Sequence, residues 1–277
     1  MTNEKTTTTR RQFLAAAGGV AAASVLPGVA KGFHNSVDDT IRVALVGCGG
    51  RGSGAAVNAV SAKGGKVKLI AMADVFEDRL SSSFDNLQRA IGDKMDVPND
   101  RKFLGFDAYQ HAMNVLRPGD VVILTTPPAF RWVHYTYAIK LGINVFMEKP
   151  LAVDGPAARR MLELNKQAMA KDMKVGVGLM SRHCTGMEEL HDRIKDGAIG
   201  DIILMRGYRM HGPAGSAFSL PKPDDMTHLE YHIRRFHSFL WASGGCFNDF
   251  YIHHVDHLSW MKDMWPQKAQ AVGGRHY

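Results

Sequence analysis

Cysteine is scarce in this sequence, since the chain of 277 residues contains only Cys48, Cys184 and Cys246. Three cysteines do not provide the even-numbered disulfide framework that holds small secreted domains together. The sequence also lacks an apolar run of the roughly 20 residues that a membrane-spanning helix needs. The nearest candidate ends at Leu26 and is interrupted by two glycines. We therefore predict neither a disulfide scaffold nor a membrane span.

Blocks of like charge are absent as well. The formal net charge is +7, but lysine and arginine are scattered along the chain. Neither a zinc-finger pattern nor an RNA-binding aromatic pattern occurs, so we predict no nucleic-acid partner. A modest positive charge suits the attraction of anions such as cofactor phosphates.

The first 30 residues have the pattern of an export signal. Arg10 and Arg11 precede a mild apolar stretch, and Gly28-Val29-Ala30 forms a small-x-small cleavage site. This order resembles a twin-arginine signal peptide, with cleavage after Ala30 and a linker over 31–37. The prediction is a periplasmic or otherwise exported protein. An uncleaved N-terminal tail is the alternative.

Residues 38–182 alternate strand-like and helix-like segments, which is typical of a parallel α/β fold. Apolar runs predict strands at 41–47, 67–74, 120–125, 143–147 and 174–180. Helical spacing predicts helices at 53–62, 75–90, 107–116, 129–141 and 154–171, with a looser stretch at 92–106. The predicted domain is a doubly wound Rossmann domain.

A glycine motif follows the first predicted strand and precedes the first helix. Its sequence, Gly47-Cys48-Gly49-Gly50-Arg51-Gly52, fits the dinucleotide fingerprint G-x-G-x-x-G. Its three motif glycines permit a tight turn, close approach of the pyrophosphate and close helix–strand packing, in that order. Asp74 ends the next strand, where a carboxylate hydrogen-bonds a ribose hydroxyl.

Further polar residues follow the fourth and fifth predicted strands. Open α/β sheets bind ligands at the carboxyl ends of their strands. The residues concerned should therefore border one crevice with the glycine turn, and they are Thr125, Thr126, Pro127 and Lys149.

Residues 183–277 differ in composition and predict the start of a second domain. Helix-like 186–195 precedes a predicted strand, Asp201 to His211, and another strand is predicted to begin at 269–272. Two strands do not make an independently stable sheet. We therefore predict an incomplete α+β domain with an open sheet, in a fragment of a longer protein.

A predicted helix at 247–261 carries acidic and imidazole groups on one face, namely Asp249, His253, Asp256, His257 and Trp260. Such a face can remove an alcohol proton during hydride transfer, with His253 as base and Asp249 orienting it or shuttling the proton. Lys149 would stabilise the developing alkoxide. A solvated i,i+4 pair is the plain alternative. A divalent metal on His253 and His257 is another, but hydride transfer needs no metal, and we predict none.

The order of these motifs resembles the glucose–fructose oxidoreductase/inositol dehydrogenase/rhizopine-catabolism (Gfo/Idh/MocA) family, and it runs from the glycine turn through Thr126-Pro127-Pro128, His134 and Glu148-Lys149-Pro150 to Asp249-x-x-x-His253. The resemblance implies a Rossmann domain that binds NAD or NADP, with His134 and Glu148 at the cofactor. It also implies Lys149 as the catalytic lysine, Asp249 and His253 as the proton-handling pair, a sugar or cyclitol substrate, and a homo-oligomer.

Asp74 favours NAD, because a carboxylate repels the extra 2′-phosphate of NADP. Arg51 could reach that phosphate, so NADP stays open. An exported enzyme should hold its cofactor tightly. The predicted function is an NAD(P)-dependent oxidoreductase acting on a carbinol carbon. The alternatives are an NAD-dependent glycosidase that works by transient oxidation and elimination, and a nucleotide-binding scaffold without turnover.

Overall fold

The structure is a computed structural model, and it describes residues 39–210, 212, 215 and 220–274. The predicted signal peptide and linker lie outside the described residues. Among the residues that are described, no helix has both the length and the apolar character to cross a membrane.

Six parallel strands form one sheet, and their bounds are β1 Ile41–Val46, β2 Val67–Asp74, β3 Lys102–Leu104, β4 Val121–Leu124, β5 Asn144–Met147 and β6 Val175–Val177. Their spatial order is β3-β2-β1-β4-β5-β6. This is the doubly wound order. Successive strands are added to one side of β1 as far as β3 and to its other side from β4 onward, so the switch point lies between β1 and β4. The predicted α/β Rossmann fold is confirmed, and a crevice opens where β1 and β4 end.

Helices connect the strands and continue after them, with bounds α1 Gly50–Val60, α2 Glu77–Ile91, α3 Ala108–Asn114, α4 Arg131–Leu141, α5 Gly155–Ala170, α6 Thr185–Lys195, α7 His228–Arg234 and α8 Ile252–Lys262. A π-helical turn, Phe247–Tyr251, leads directly into α8. The predicted boundary between two domains near residue 182 stays a prediction.

The core lies on both faces of the sheet, because side chains alternate along each strand. Val43 and Leu45 of β1 face one side and pack with α1 and α2 residues such as Leu87. Ala44 and Val46 face the other side and pack with residues of α3, α4 and α5 such as Tyr135. Both faces are covered, which explains the apolar runs within the strands.

Three expectations about strands are wrong. The loop predicted at 92–106 contains the short strand β3, which pairs with the end of β2. The predicted strand from 201 to 211 does not form within its described part, 201–210. Its carbonyls accept side-chain donors of α8 instead, because His254 Nε2 donates to Tyr208 at 3.0 Å and Lys262 Nζ donates to Ile202 at 3.1 Å. Residues 269–272 also form no strand.

Candidate functional site

A cavity of about 760 Å³ opens at the carboxyl ends of the strands. Its size is in the range of small-molecule and cofactor sites. Every residue that the sequence predicted for cofactor binding lines it, namely Gly47, Gly49, Gly50, Arg51, Gly52, Asp74, Thr125, Thr126, Pro127, His134, Glu148 and Lys149. Asp249 lines the same cavity, whereas His253 is not among its lining residues.

The glycine turn combines tight packing on one side with open space on the other. Gly47 has φ +98°, a conformation that favours glycine. A Cβ on Gly52 would lie 2.0 Å from the Gly47 carbonyl oxygen, so α1 approaches β1 at backbone distance. A Cβ on Gly49 or Gly50 would meet no atom within 4 Å. The turn therefore leaves room for a ligand directly above its backbone.

Asp74 is fixed beside this turn by backbone donors. The Cys48 N–H donates to Oδ2 at 2.6 Å, and the Phe76 N–H donates to Oδ1 at 2.9 Å. The carboxylate is thereby tied to both the glycine turn and the start of the segment that leads into α2. It stands where a ribose hydroxyl is bound in doubly wound folds.

Arg51 and Glu148 form an ion pair across the cavity. Arg51 Nε lies 2.7 Å from Glu148 Oε1, and the Glu148 side chain is buried while that of Arg51 is about half exposed. This pair joins the first turn of α1 to the end of β5. It also gives the Arg51 charge a partner inside the protein.

The end of β4 is held by a buried arginine that sequence reasoning missed. Arg131 donates to the carbonyls of Leu124 at 2.6 Å and Thr126 at 2.8 Å. Burial lowers the pKa of Arg131 to about 10. Thr126 Oγ1 in turn lies 3.2 Å from His134 Nδ1. Burial and the neighbouring Arg131 charge lower the pKa of His134 to about 3, so its imidazole is neutral near pH 7.

Lys149 and Asp249 meet in the cavity although they are 100 residues apart. Lys149 Nζ donates to Asp249 Oδ1 at 3.1 Å and to the Asp249 carbonyl at 2.6 Å. Asn248 holds the π turn Phe247–Tyr251 in place, since its side-chain amide donates to the Ala152 carbonyl at 2.7 Å. An ammonium has three donors, so one donor of Lys149 remains after these two bonds.

The second partner of the Asp249 carboxylate is His237. His237 Nε2 lies 3.1 Å from Asp249 Oδ2, and both residues line the cavity. Burial opposes ionisation of Asp249, but the hydrogen bond from His237 and the charge and hydrogen bond of Lys149 outweigh it. The pKa of Asp249 therefore lies below its ordinary value. Asp249 is an anion between two nitrogen groups.

The expectation that Asp249 and His253 act as a pair on one helix face stays a prediction. Asp249 lies in the π turn, which has more residues per turn than an α-helix, whereas His253 lies in α8. Phe250, predicted on the opposite face, lines the cavity instead of His253. Burial, followed by the charge of Lys149, lowers the pKa of His253. His253 is thus a neutral imidazole in the electrostatic reach of Lys149.

A metal site would require at least three histidine, cysteine or acidic side chains close together, and the described part of the chain contains no such group. Asp256 is paired with Arg182, with 2.8 Å between Asp256 Oδ1 and Arg182 Nη2. Cys48, Cys184 and Cys246 are free cysteines, and Cys48, a residue of the glycine turn, is buried.

Sequence reasoning missed His237 as well as the apolar residues around it. Residues 228–241 are rich in histidine and aromatic residues, but nothing in their pattern predicts that Ile233, Phe236 and His237 line the same cavity as the glycine turn. Phe76 and Arg79 could have been found, because they follow Asp74 closely on the same connection.

The residues present fit a nicotinamide dinucleotide. Open space lies over Gly49 and Gly50, and the first turn of α1 contains no acidic residue. A helix leaves its first N–H groups unbonded, and this end attracts phosphates. Asp74 stands at the ribose position, and Lys149 lines the cavity with one donor to spare.

Comparison with known proteins agrees with this geometry. Residues 41–178 match the family model described as "Oxidoreductase family, NAD-binding Rossmann fold". An inositol 2-dehydrogenase of Corynebacterium glutamicum is 24% identical over 125 residues, which are 45% of this chain and 35% of that protein. A glycosyl hydrolase family 109 protein of Akkermansia muciniphila is 24% identical over 185 residues, 65% of this chain and 35% of that protein.

Solved structures share the fold over most of the described chain. A scyllo-inositol dehydrogenase from Lactobacillus casei with bound NAD(H) and scyllo-inositol has TM-score 0.59 and 24% identity, covering 81% of this chain and 56% of that chain. A structure of apo scyllo-inositol dehydrogenase from the same organism has TM-score 0.57 and 26% identity, covering 81% and 55%. The chain thus spans little more than half of these structures and about a third of the curated relatives above. Through residues 41–178, the chain belongs to the Gfo/Idh/MocA family of oxidoreductases with an NAD-binding Rossmann fold.

Proposed function

We propose that this protein is an NAD-dependent oxidoreductase that acts on a carbinol carbon of a sugar or cyclitol. The observation that carries the proposal is the Lys149–Asp249 ion pair, which lies in the cavity that also contains the glycine turn and Asp74. A likeness in fold to a scyllo-inositol dehydrogenase that holds NAD(H) and scyllo-inositol supports the cofactor and the substrate class.

The nicotinamide ring, when bound, exchanges a hydride with the substrate carbon. Lys149 binds the substrate oxygen through its remaining donor and stabilises the negative charge that develops there. Asp249 fixes the position of Lys149 through two hydrogen bonds, one to its carboxylate and one to its backbone carbonyl. These residues therefore orient the hydroxyl group and lower the energy of the alkoxide.

The hydroxyl proton needs an acceptor, and the contacts favour His237 over His253. With Asp249 ionised, His237 donates from Nε2 and leaves Nδ1 as an acceptor. A carboxylate that holds one imidazole nitrogen fixes the tautomer and stabilises the imidazolium that forms. We propose His237 as the proton acceptor, with Asp249 orienting it. The sequence-based candidate, His253, is the competing acceptor.

A pair of matched variants separates the two histidines. His237→Gln should lower kcat by roughly 100-fold or more with little change in KM, as loss of a general base does. His253→Gln should retain most of the activity. The reverse pattern would assign the proton to His253, and equal small losses would remove both from the proton step.

The cofactor proposed is NAD. Asp74 repels a 2′-phosphate, and Arg51, the residue that could bind one, is engaged by Glu148. NADP is the alternative, and measured dissociation constants for the two nucleotides decide between them. Tight retention is also proposed, and the nucleotide content of the purified protein tests it.

Turnover with NAD and a panel of cyclitols and sugars tests the activity directly. The expected result is reduction of NAD that is lost in Lys149→Met, while the variant still binds nucleotide. Undiminished turnover in Lys149→Met would overturn the mechanism. Cleavage of a glycoside without net reduction of NAD would assign the glycosidase activity instead. Nucleotide binding without any turnover would assign a scaffold.

We further propose export and self-association. Arg10 and Arg11 support twin-arginine export, and their replacement by lysine should retain the protein in the cytoplasm in a fractionation assay. Exposed apolar side chains such as Ile203 and Met210 support a contact between copies. Light scattering that shows a monomer would contradict self-association.

A further inference from the structure

One wall of the cavity comes from the segment 233–237, which contains the last two residues of α7 and the three that follow, and lies far from the glycine turn in sequence. Ile233, Phe236 and His237 all line the cavity, and Ile233 is buried. The other wall comes from the end of β2 and the connection after it, where Asp74, Phe76 and Arg79 line the same cavity. The two segments therefore meet at the ribose end of the proposed cofactor site.

Arg234 joins the two segments through its charge and its planar shape. Its guanidinium donates from Nη1 to Asp78 Oδ2 at 2.8 Å and from Nη2 to Asp78 Oδ1 at 2.7 Å. This is the bidentate arrangement that makes arginine–carboxylate pairs specific in direction. The same guanidinium carbon lies 4.1 Å from the centre of the Phe76 ring, within the distance of a cation–π contact.

Arg79 adds a second connection from the opposite direction. Its Nη2 donates to the Arg234 carbonyl at 3.2 Å, and its guanidinium carbon lies 5.3 Å from the Phe76 ring centre. The hydrogen bonds that Arg234 donates to Asp78 lower the pKa of Asp78 and raise the pKa of Arg234. Phe76, Asp78 and Arg79 thus contact one residue of the opposite wall.

We propose that Arg234 is a positioning residue that holds the 233–237 wall over the ribose end of the cavity and thereby slows release of the dinucleotide. The inference rests on the proposed function, because it requires that the cavity takes a nicotinamide dinucleotide. A ligand enclosed by this wall leaves only when the wall moves, and the contacts of Arg234 with Asp78 and Phe76 oppose that movement. The pair is partly exposed, so its effect is moderate.

The rate at which NADH dissociates from the 277-residue chain tests the proposal. It is measured by displacing bound NADH with excess NAD. Arg234→Gln should release NADH roughly tenfold faster, while the association rate changes little, since most affinity changes within one interface are changes in dissociation. Asp78→Asn should release it faster as well. The double variant should be close to Arg234→Gln alone, because both changes break the same contact. The control is Lys195→Gln, which breaks the exposed ion pair between Lys195 of α6 and Asp263.

Hydrogen exchange of the nucleotide-free chain gives a readout that does not depend on the cofactor. We expect the amides of α7 and of residues 235–237 to exchange faster in Arg234→Gln than in Lys195→Gln. The melting temperature of Arg234→Gln should equal that of the wild type. Equal NADH release or equal exchange in the two variants overturns the proposal. Failure of the wild-type chain to bind NADH overturns the proposed function instead, and the role of Arg234 in retention with it.

Discussion

Acid should destabilise this fold through His134, whose imidazole is buried beside the end of β4. Burial, with the Arg131 charge as the second cause, lowers its pKa from 6.5 to about 3 in the folded protein. In the unfolded chain an imidazole titrates near its ordinary value of about 6.5. Between these values the unfolded state binds a proton that the folded state does not bind. The free energy of unfolding therefore falls as the pH falls.

One proton over this range corresponds to about 1.4 kcal/mol per pH unit, or about 2 kcal/mol between pH 8 and pH 5. We expect His134→Asn to lose this part of the acid sensitivity, because its amide can still contact Thr126 but does not titrate. Urea unfolding at several pH values measures the effect, with His111→Asn, at an exposed position of α3, as the control. Equal dependence of unfolding free energy on pH in the wild type and His134→Asn would refute the reasoning.

Three substitutions around the glycine turn and Asp74 give further expected results. Gly52→Ala should lower the unfolding free energy by about 1–3 kcal/mol in thermal unfolding, because its methyl group would overlap the Gly47 carbonyl. Gly49→Ala should leave stability within about 0.5 kcal/mol. It should nevertheless weaken nucleotide binding in a calorimetric titration, and unchanged affinity would contradict a phosphate above that glycine. Asp74→Asn should reduce the preference for NAD over NADP, and an unchanged ratio of dissociation constants would refute its role.

The sequence predicted the sheet well where strands are long and buried on both faces. β2 has the predicted bounds, because its residues 69–73 form an apolar run that ends at Asp74. β3 was missed because it has three residues and lies at the sheet edge. The segment 201–210 was predicted wrongly because its apolar content resembles a strand, whereas its backbone bonds to side chains of α8.

The candidate site was predictable where a short motif determines the geometry. The glycine turn and Asp74 come together because a strand–turn–helix unit brings them there, whatever the rest of the chain does. The contact of Asp249 with His237 was not predictable, because it depends on how the residues after α7 pack against the π turn. His237 reaches the cavity, and Arg234 reaches Asp78 and Phe76 beside it, through tertiary packing that no local pattern encodes.

Native mass spectrometry of the protein with NAD tests the central claim most directly, when the wild type is compared with Gly49→Val. The account predicts one nucleotide on each wild-type chain and little or none on the variant, because the added side chain would occupy the space above the glycine turn. The variant should remain folded by circular dichroism, since that space holds no protein atom. A wild-type chain that binds no nucleotide, or a variant that binds it equally well, would contradict the assignment of this cavity to a nicotinamide cofactor.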